Sequence, residues 1–207
     1  MYLVLRRGAI TDLARAGELA GAAAVACVRE FGVDPAFADA VAAWRPRPGK
    51  VCLRARNESQ WRQALAEPHA VAGDPVGQAV LAIPPRRRSQ RGALLEHLQA
   101  MSSDLAAAPA RAPAGDDRRA VSYLLNPSAT MTSGKTVAQV AHAAVMAADT
   151  GAVESWVAAG CPGRVLAPPA QVFAAIAARP QAHLARARTP RRNRVRERGV
   201  KAVRANA

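Results

Sequence analysis

The chain has 207 residues, half of them hydrophobic but only 4% aromatic, and a formal net charge of +14. That length buries a core in one or two small domains, and so few aromatic residues leave the core to Ala, Val and Leu. Cys27, Cys52 and Cys161 stand far apart, which excludes a zinc or CxxC motif and reads as three buried thiols of a reducing cytoplasm.

Taken in order, the apolar start Met1 to Leu5 is stopped by Arg6 and Arg7, too short for a signal peptide or a membrane span. Tyr2 to Arg6 reads as a strand and Asp12 to Phe31 as a long Ala-rich helix, capped by Asp12 or Thr11. Gly32 to Gly49 reads as an irregular, proline-bearing connection. Lys50 to Ala55 is a strand, and a helix follows with Asn57 as its cap. Two short strands, His69 to Gly73 and Gly77 to Pro85, are split by Asp74-Pro75, and Gly92 to Met101 closes the unit as a helix. His69 and His97 read as structural or solvated. Residues 102–119, with PARAPAGDD inside them, have the composition of a linker.

The stretch from Ala120 to Asp149 carries the chemistry: a short apolar run, a Ser- and Thr-rich loop, then a helix of small residues. Ser133 is a good N-cap, which puts Lys135 in the first turn, where a cation opposes the positive end of the macrodipole. A lysine set against stability points to function. At about 100° per residue, Lys135, Gln139 and His142 share one face, and Val137, Val140 and Ala144 take the other. A lysine beside exposed backbone N–H groups makes an anion site for a phosphate or a developing oxyanion. ATMTSGKT, Ala129 to Thr136, also fits a relaxed Walker A pattern. It has no glycine between Ala129 and Gly134 to turn N–H groups inward, which weighs against a P-loop NTPase.

GKTVAQVAHA, Gly134 to Ala143, closely resembles the Gly-Lys-x-x-Ala-Gln-x-x-His-Ala signature of the archaeal and eukaryotic type of peptidyl-tRNA hydrolase. Gly134, Lys135, Ala138, Gln139, His142 and Ala143 match in register. The resemblance implies a small α/β fold and an enzyme that hydrolyses the ester of peptidyl-tRNA; the cysteines and the short apolar start point to the cytoplasm, and with no cluster of His, Cys and carboxylate no metal or cofactor is expected. It implies Lys135, Gln139 and His142 as catalytic residues. Ser133, Gly134 and Thr136 at the helix start are expected to hold the substrate, with Arg86, Arg87 and Arg88 of the basic cluster PRRRSQR. The partner implied is tRNA, with no membrane involved. Members of the family pair through their folded units, here within one chain or between two.

The family's order of strands and helices makes residues 1–101 one altered copy of the fold and residues 120–186 a second. Tyr2 aligns with Tyr123 and Gly17 to Val28 with Gly134 to Val145, so Glu18, Ala22 and Val25 stand where Lys135, Gln139 and His142 stand. In the second copy, Val153 to Ala159 reads as a short helix, Arg164 to Ala167 as a strand, Pro169 to Arg179 as a helix, and Gln181 to Arg186 as the start of a strand. The expected architecture is thus two small three-layer α/β/α repeats, each a short mixed sheet with flanking helices, the second incomplete.

There the resemblance stops. The family continues with an Asp-Ala-Gly-x-Thr loop and an apolar strand, whose Asp and Thr belong to its site, whereas residues 187–207 are crowded with arginine and read as a disordered basic tail. Nine Lys and Arg against Glu197 in residues 182–207 supply +8 of the +14. Such clustered cations suit a phosphate backbone, so a tRNA- or RNA-binding protein that does not cut is the alternative function.

Overall fold

The computed structural model describes residues 1–46, 48–102, 105–108, 120–150, 154–178 and 200–204. The apolar run YLVLR forms β1 (Tyr2–Arg6). α1 (Leu13–Phe31) follows, with the Asp12 carboxylate accepting from the Arg15 N–H at 2.7 Å. Of the two caps the sequence offered, Asp12 is the one used. The stretch expected to be irregular holds a helix, α2 (Ala38–Trp44). Asp34 starts it, its side chain accepting from the Ala36 N–H and its carbonyl from the Ala38 N–H, and burial of Val41 and Trp44 holds it.

β2 (Val51–Ala55) and α3 (Glu58–Ala66) come next, the latter capped by Asn57, which accepts from the Gln60 N–H at 2.9 Å. β3 (Ala70–Gly73) and β4 (Ala79–Ile83) form a hairpin. α4 (Gly92–His97) ends four residues earlier than expected, because the chain extends at Leu98 and pairs with β2 as β5 (Gln99–Ala100). The second half contains β6 (Val121–Leu125), α5 (Ser133–Asp149), α6 (Glu154–Ala158), β7 (Gly163–Leu166), α7 (Ala170–Ala177) and β8 (Val200–Arg204).

The architecture is α/β, with a mixed five-stranded sheet in the order β3-β4-β1-β2-β5 and a smaller sheet, β7-β6-β8. In the first, β1 runs parallel to β2 and antiparallel to β4; in the second, β6 runs parallel to β7 and antiparallel to β8. β4-β1-β2 therefore has the same connectivity and sense as β8-β6-β7. A side-chain detail accompanies it: the Trp44 indole donates to the Gly49 carbonyl just before β2, and the Trp156 indole to the Pro162 carbonyl just before β7, both at 2.7 Å.

One face of the larger sheet carries α3 and α4 over Val4, Leu53, Trp61, Leu81 and Leu95. The other face packs on α1, and the main core runs on through α5 to Val121, Tyr123 and Val165 of the smaller sheet. The helix pair α1 and α5 is thus a layer shared by both sheets, a closer union than two three-layer units side by side. Burial of Ala20, Ala23, Ala24, Ala141, Ala143 and Ala144 is what small residues permit: the two helices approach with no bulk between them. Gly17 lies against Val140 and Gly21 against Ala144.

Two readings of the connecting segments change. Part of the stretch read as a linker is built into the fold: Ala106 bridges Asp12 beside α1, and Leu105 and Ala108 pack on the core. The tail reading is corrected at residues 200–204, where VKAVR forms β8 and pairs with β6 from Val121↔Arg204 to Leu125↔Val200. The open edge of β6 selects a strand that the segment's own periodicity does not announce. The strand expected at Gln181 to Arg186 lies outside the described residues. Among the described residues, no helix is long and apolar enough to cross a membrane.

Candidate functional site

The start of α5 is built by Thr132, not Ser133, as cap. Thr132 has extended backbone, and its hydroxyl accepts from the Lys135 N–H at 3.4 Å while its carbonyl accepts from the Thr136 N–H and hydroxyl at 2.9 and 3.1 Å. This moves the expected cap one residue upstream and keeps Lys135 in the first turn. Gly134 is required for packing: a Cβ there would lie 2.5 Å from the Met101 carbonyl oxygen. The helix end is therefore seated on the chain leaving β5.

Of the residues expected at this end to hold a substrate, Ser133 and Thr136 are buried, and the Thr136 hydroxyl is spent on Thr132. Gly134 is buried as well, and Lys135 alone of the first turn is exposed. Met101 also lines a hollow of about 110 Å³, together with Arg6 and Arg54. Arg6 pairs with Glu58 at 3.3 Å, and Arg54 is buried. Two cations of the first unit thus share Met101 as a neighbour with the start of α5, whose positive pole carries Lys135.

The two stripes of α5 are as the spacing predicted. Val137, Val140 and Ala144 are fully buried, whereas Lys135 is exposed and Gln139 and His142 are half-buried. Sharing a face does not bring all three to one point, since seven residues of helix separate Lys135 from His142 by about 10 Å of rise. Burial, reinforced by the nearby Lys50 ammonium, pushes the His142 imidazole down to about 4. It is neutral near pH 7 and a weak base, suited to hydrogen bonding rather than to proton abstraction.

The Arg86 side chain is paired with Glu67 at 2.7 Å and only partly exposed, whereas Arg87 is exposed. The Arg88 side chain lies outside the described residues. The ring nitrogens of His69 and His97 meet the carbonyls of Glu67 and Ala93. Cys27, Cys52 and Cys161 are all buried, and none of the three is in a disulfide.

A wider cleft, about 870 Å³, lies elsewhere, between α1, β3 and the turn before β7. It is lined by Glu18, Ala22 and Val25, the positions of α1 that align with the Lys135 stripe of α5. Glu18 is half-buried, and one carboxylate oxygen accepts from the Val165 N–H at 3.2 Å. Burial is the larger influence and raises its carboxyl above the usual range. Cys161 lines the same cleft in a left-handed conformation, its thiol pushed up to about 11 by burial.

Sequence reasoning passed over Glu18 because it looked for a copy of the α5 stripe and found it erased. It also passed over Lys50, whose ammonium is buried without a hydrogen-bond partner among the described residues, 4.5 Å from the centre of the Trp44 ring. Neither residue sits in a motif, since only the fold brings their surroundings together. In comparisons with known proteins, the chain matches no family model, no curated protein and no solved structure. The resemblance to the hydrolases thus stands on the residues of α5.

Proposed function

We propose that the chain binds the acyl end of peptidyl-tRNA at the start of α5 and hydrolyses its ester. The observation that carries this is Lys135: the one exposed residue of a buried, capped and glycine-seated first turn, at the positive end of its helix. Ester hydrolysis needs an oriented water, a stabilised oxyanion and a proton for the departing hydroxyl. Lys135 supplies charge for a phosphate of the tRNA end or for the oxyanion. Gln139, one turn on, holds the water or the substrate amide. His142, neutral and half-buried, acts by hydrogen bonding. Three buried cysteines outside any disulfide fit a cytoplasmic setting, and the charge of +14 fits tRNA as the partner.

The second reading is a tRNA- or RNA-binding protein that does not cut. The low basicity of His142 favours it, as does the arginine-rich sequence standing where the family has its Asp and Thr. The deciding experiment incubates the purified chain and Lys135→Ala with N-acetylaminoacyl-tRNA and follows ester cleavage, filter binding of the tRNA and thermal melting. Cleavage by the wild type, lost in a Lys135→Ala variant that melts normally, supports the hydrolase. Binding without cleavage supports the binder, and absence of both removes the two readings together.

A further inference from the structure

We propose that the cleft between α1, β3 and the turn before β7 docks an extended basic peptide segment, which adds as a strand to the outer edge of β3 and sets a lysine or arginine against Glu18. Among the described residues, β3 is the end strand of the larger sheet and pairs only with β4. The Asp74 N–H donates to the Gln78 carbonyl, and from that bonded pair the antiparallel alternation makes Ala72/Val80 and Ala70/Ala82 the other bonded pairs. The N–H and C=O groups of Val71 and Gly73 therefore point to the open side. The strand reads Ala-Val-Ala-Gly, with none of the charges or prolines that usually guard an edge.

The opposite wall shows what a guarded edge looks like. β7 ends the smaller sheet, and its outward Val165 N–H is taken by the Glu18 side chain. Of the two sheet edges that flank the cleft, one is capped and the other is open. Between them the floor is α1, where Ala22 and Ala26 are half-buried and carry no bulk. Ala70 and Ala72 pack toward the same core as α1, while Val71 is 41% exposed. A strand laid beside β3 would place alternate side chains over Ala22 and Ala26, the two-residue period giving the choice of side chains and the backbone giving the pairing.

Charge selects the occupant. In a chain of +14, Glu18, Glu30 and Glu154 outnumber Arg15 and Arg29 along this cleft. The Arg15 guanidinium already donates to the Gln78 side chain. Glu18 bonds Val165 through one carboxylate oxygen, and the attraction of Arg15 and Arg164 does not offset the burial of its carboxyl, so a further cation in the cleft would relieve the cost of holding it away from water.

The inference does not rest on the hydrolase reading and is tested without tRNA. The probe is fluorescein-labelled Thr-Val-Lys-Val-Lys-Val, followed by anisotropy against wild type, Glu18→Gln and Val71→Pro, with Thr-Val-Glu-Val-Glu-Val as control. Val71→Pro removes an N–H that no ladder bond uses. Amide exchange on the wild type, with and without the lysine peptide, gives a readout independent of either variant. Expected are saturable binding of the lysine peptide, at least about tenfold weaker binding for Glu18→Gln and for the glutamate peptide, and slowed exchange at Val71 and Gly73. Absence of saturable binding, equal binding of the two peptides, or unchanged exchange at Val71 and Gly73 would overturn it.

Discussion

The Glu18 carboxylate accepts a 3.2 Å hydrogen bond from the Val165 backbone N–H, 147 residues along the chain. A side chain of one unit thereby closes the sheet edge of the other. The bond favours the ionised carboxyl, but burial works against ionisation more strongly and raises its pKa. The native state then keeps its proton at a pH where the unfolded chain has lost it, so stability falls as pH rises from about 4.5 through the raised native value.

Glu18→Gln keeps an oxygen for Val165 and removes the ionisation. The stability difference between the variant and wild type should therefore move in the variant's favour from pH 4 to pH 7. Urea unfolding at the two pH values measures it. An identical difference at both would show that Glu18 titrates alike folded and unfolded.

Gly134 belongs to the motif that resembles the hydrolases, yet its role in the fold is steric. A methyl group at this position would meet the Met101 carbonyl at 2.5 Å, and backbone on both sides leaves little room to give. Gly134→Ala should destabilise the chain by about 1–3 kcal/mol, as overpacking does, despite the better helix propensity of alanine. Chemical denaturation reads this directly, and a stabilised variant would mean that α5 is not seated on Met101.

Strands with a clear apolar run, such as Tyr2–Arg6 and Ala79–Ile83, and helices with a capping Asp or Asn, such as those after Asp12 and Asn57, were legible because local chemistry alone decides them. The two stripes of α5 were legible for the same reason. What escaped was decided at a distance. α2 depends on a core that takes Val41 and Trp44, β5 on the free edge of β2, and β8 on the free edge of β6. The cleft escaped because a strand edge and a helix face, 49 residues apart between Ala22 and Val71, have no common pattern. Thr132 caps α5 while Ser133 and Gly134 are buried, Gly134 against Met101, a packing invisible in the helix itself.

Tyr123 lies at the centre of the smaller sheet, fully buried, and its hydroxyl has no hydrogen-bond partner among the described residues. Gly21 faces the hydroxyl and Gly163 the ring, with no side chain to offer an acceptor. Burying an unpaired hydroxyl costs about 1–3 kcal/mol. Tyr123→Phe should thus be neutral or stabilise by up to about 1 kcal/mol, seen as an unchanged or higher melting temperature. A clear loss of stability would reveal an acceptor for that hydroxyl.

Lys50 gives a pH dependence of the opposite sign to that of Glu18. Burial lowers its amine to about 7, against a smaller opposing pull from Asp149 and Cys27, although Asp149 is itself paired with Arg45 at 2.6 Å. From α5 it meets His142, and from the chain start the Met1 amine, which burial and Lys50 lower to about 5. For Lys50 the unfolded chain binds a proton that the native state refuses between pH 7 and 10.5, so stability rises with pH across that window. Burial pushes the Cys27 thiol up to about 12, and it acts in the opposite sense above pH 9, so the gain is clearest between pH 7 and 9. Lys50→Met should stabilise the chain at pH 7 by a few kcal/mol, at about 1.4 kcal/mol per pKa unit, less the cation–π contact with Trp44. Its advantage should shrink by pH 9. Guanidinium unfolding of both proteins at the two pH values tests this, and a wild type whose stability relative to the variant does not change between them would place the Lys50 amine in water.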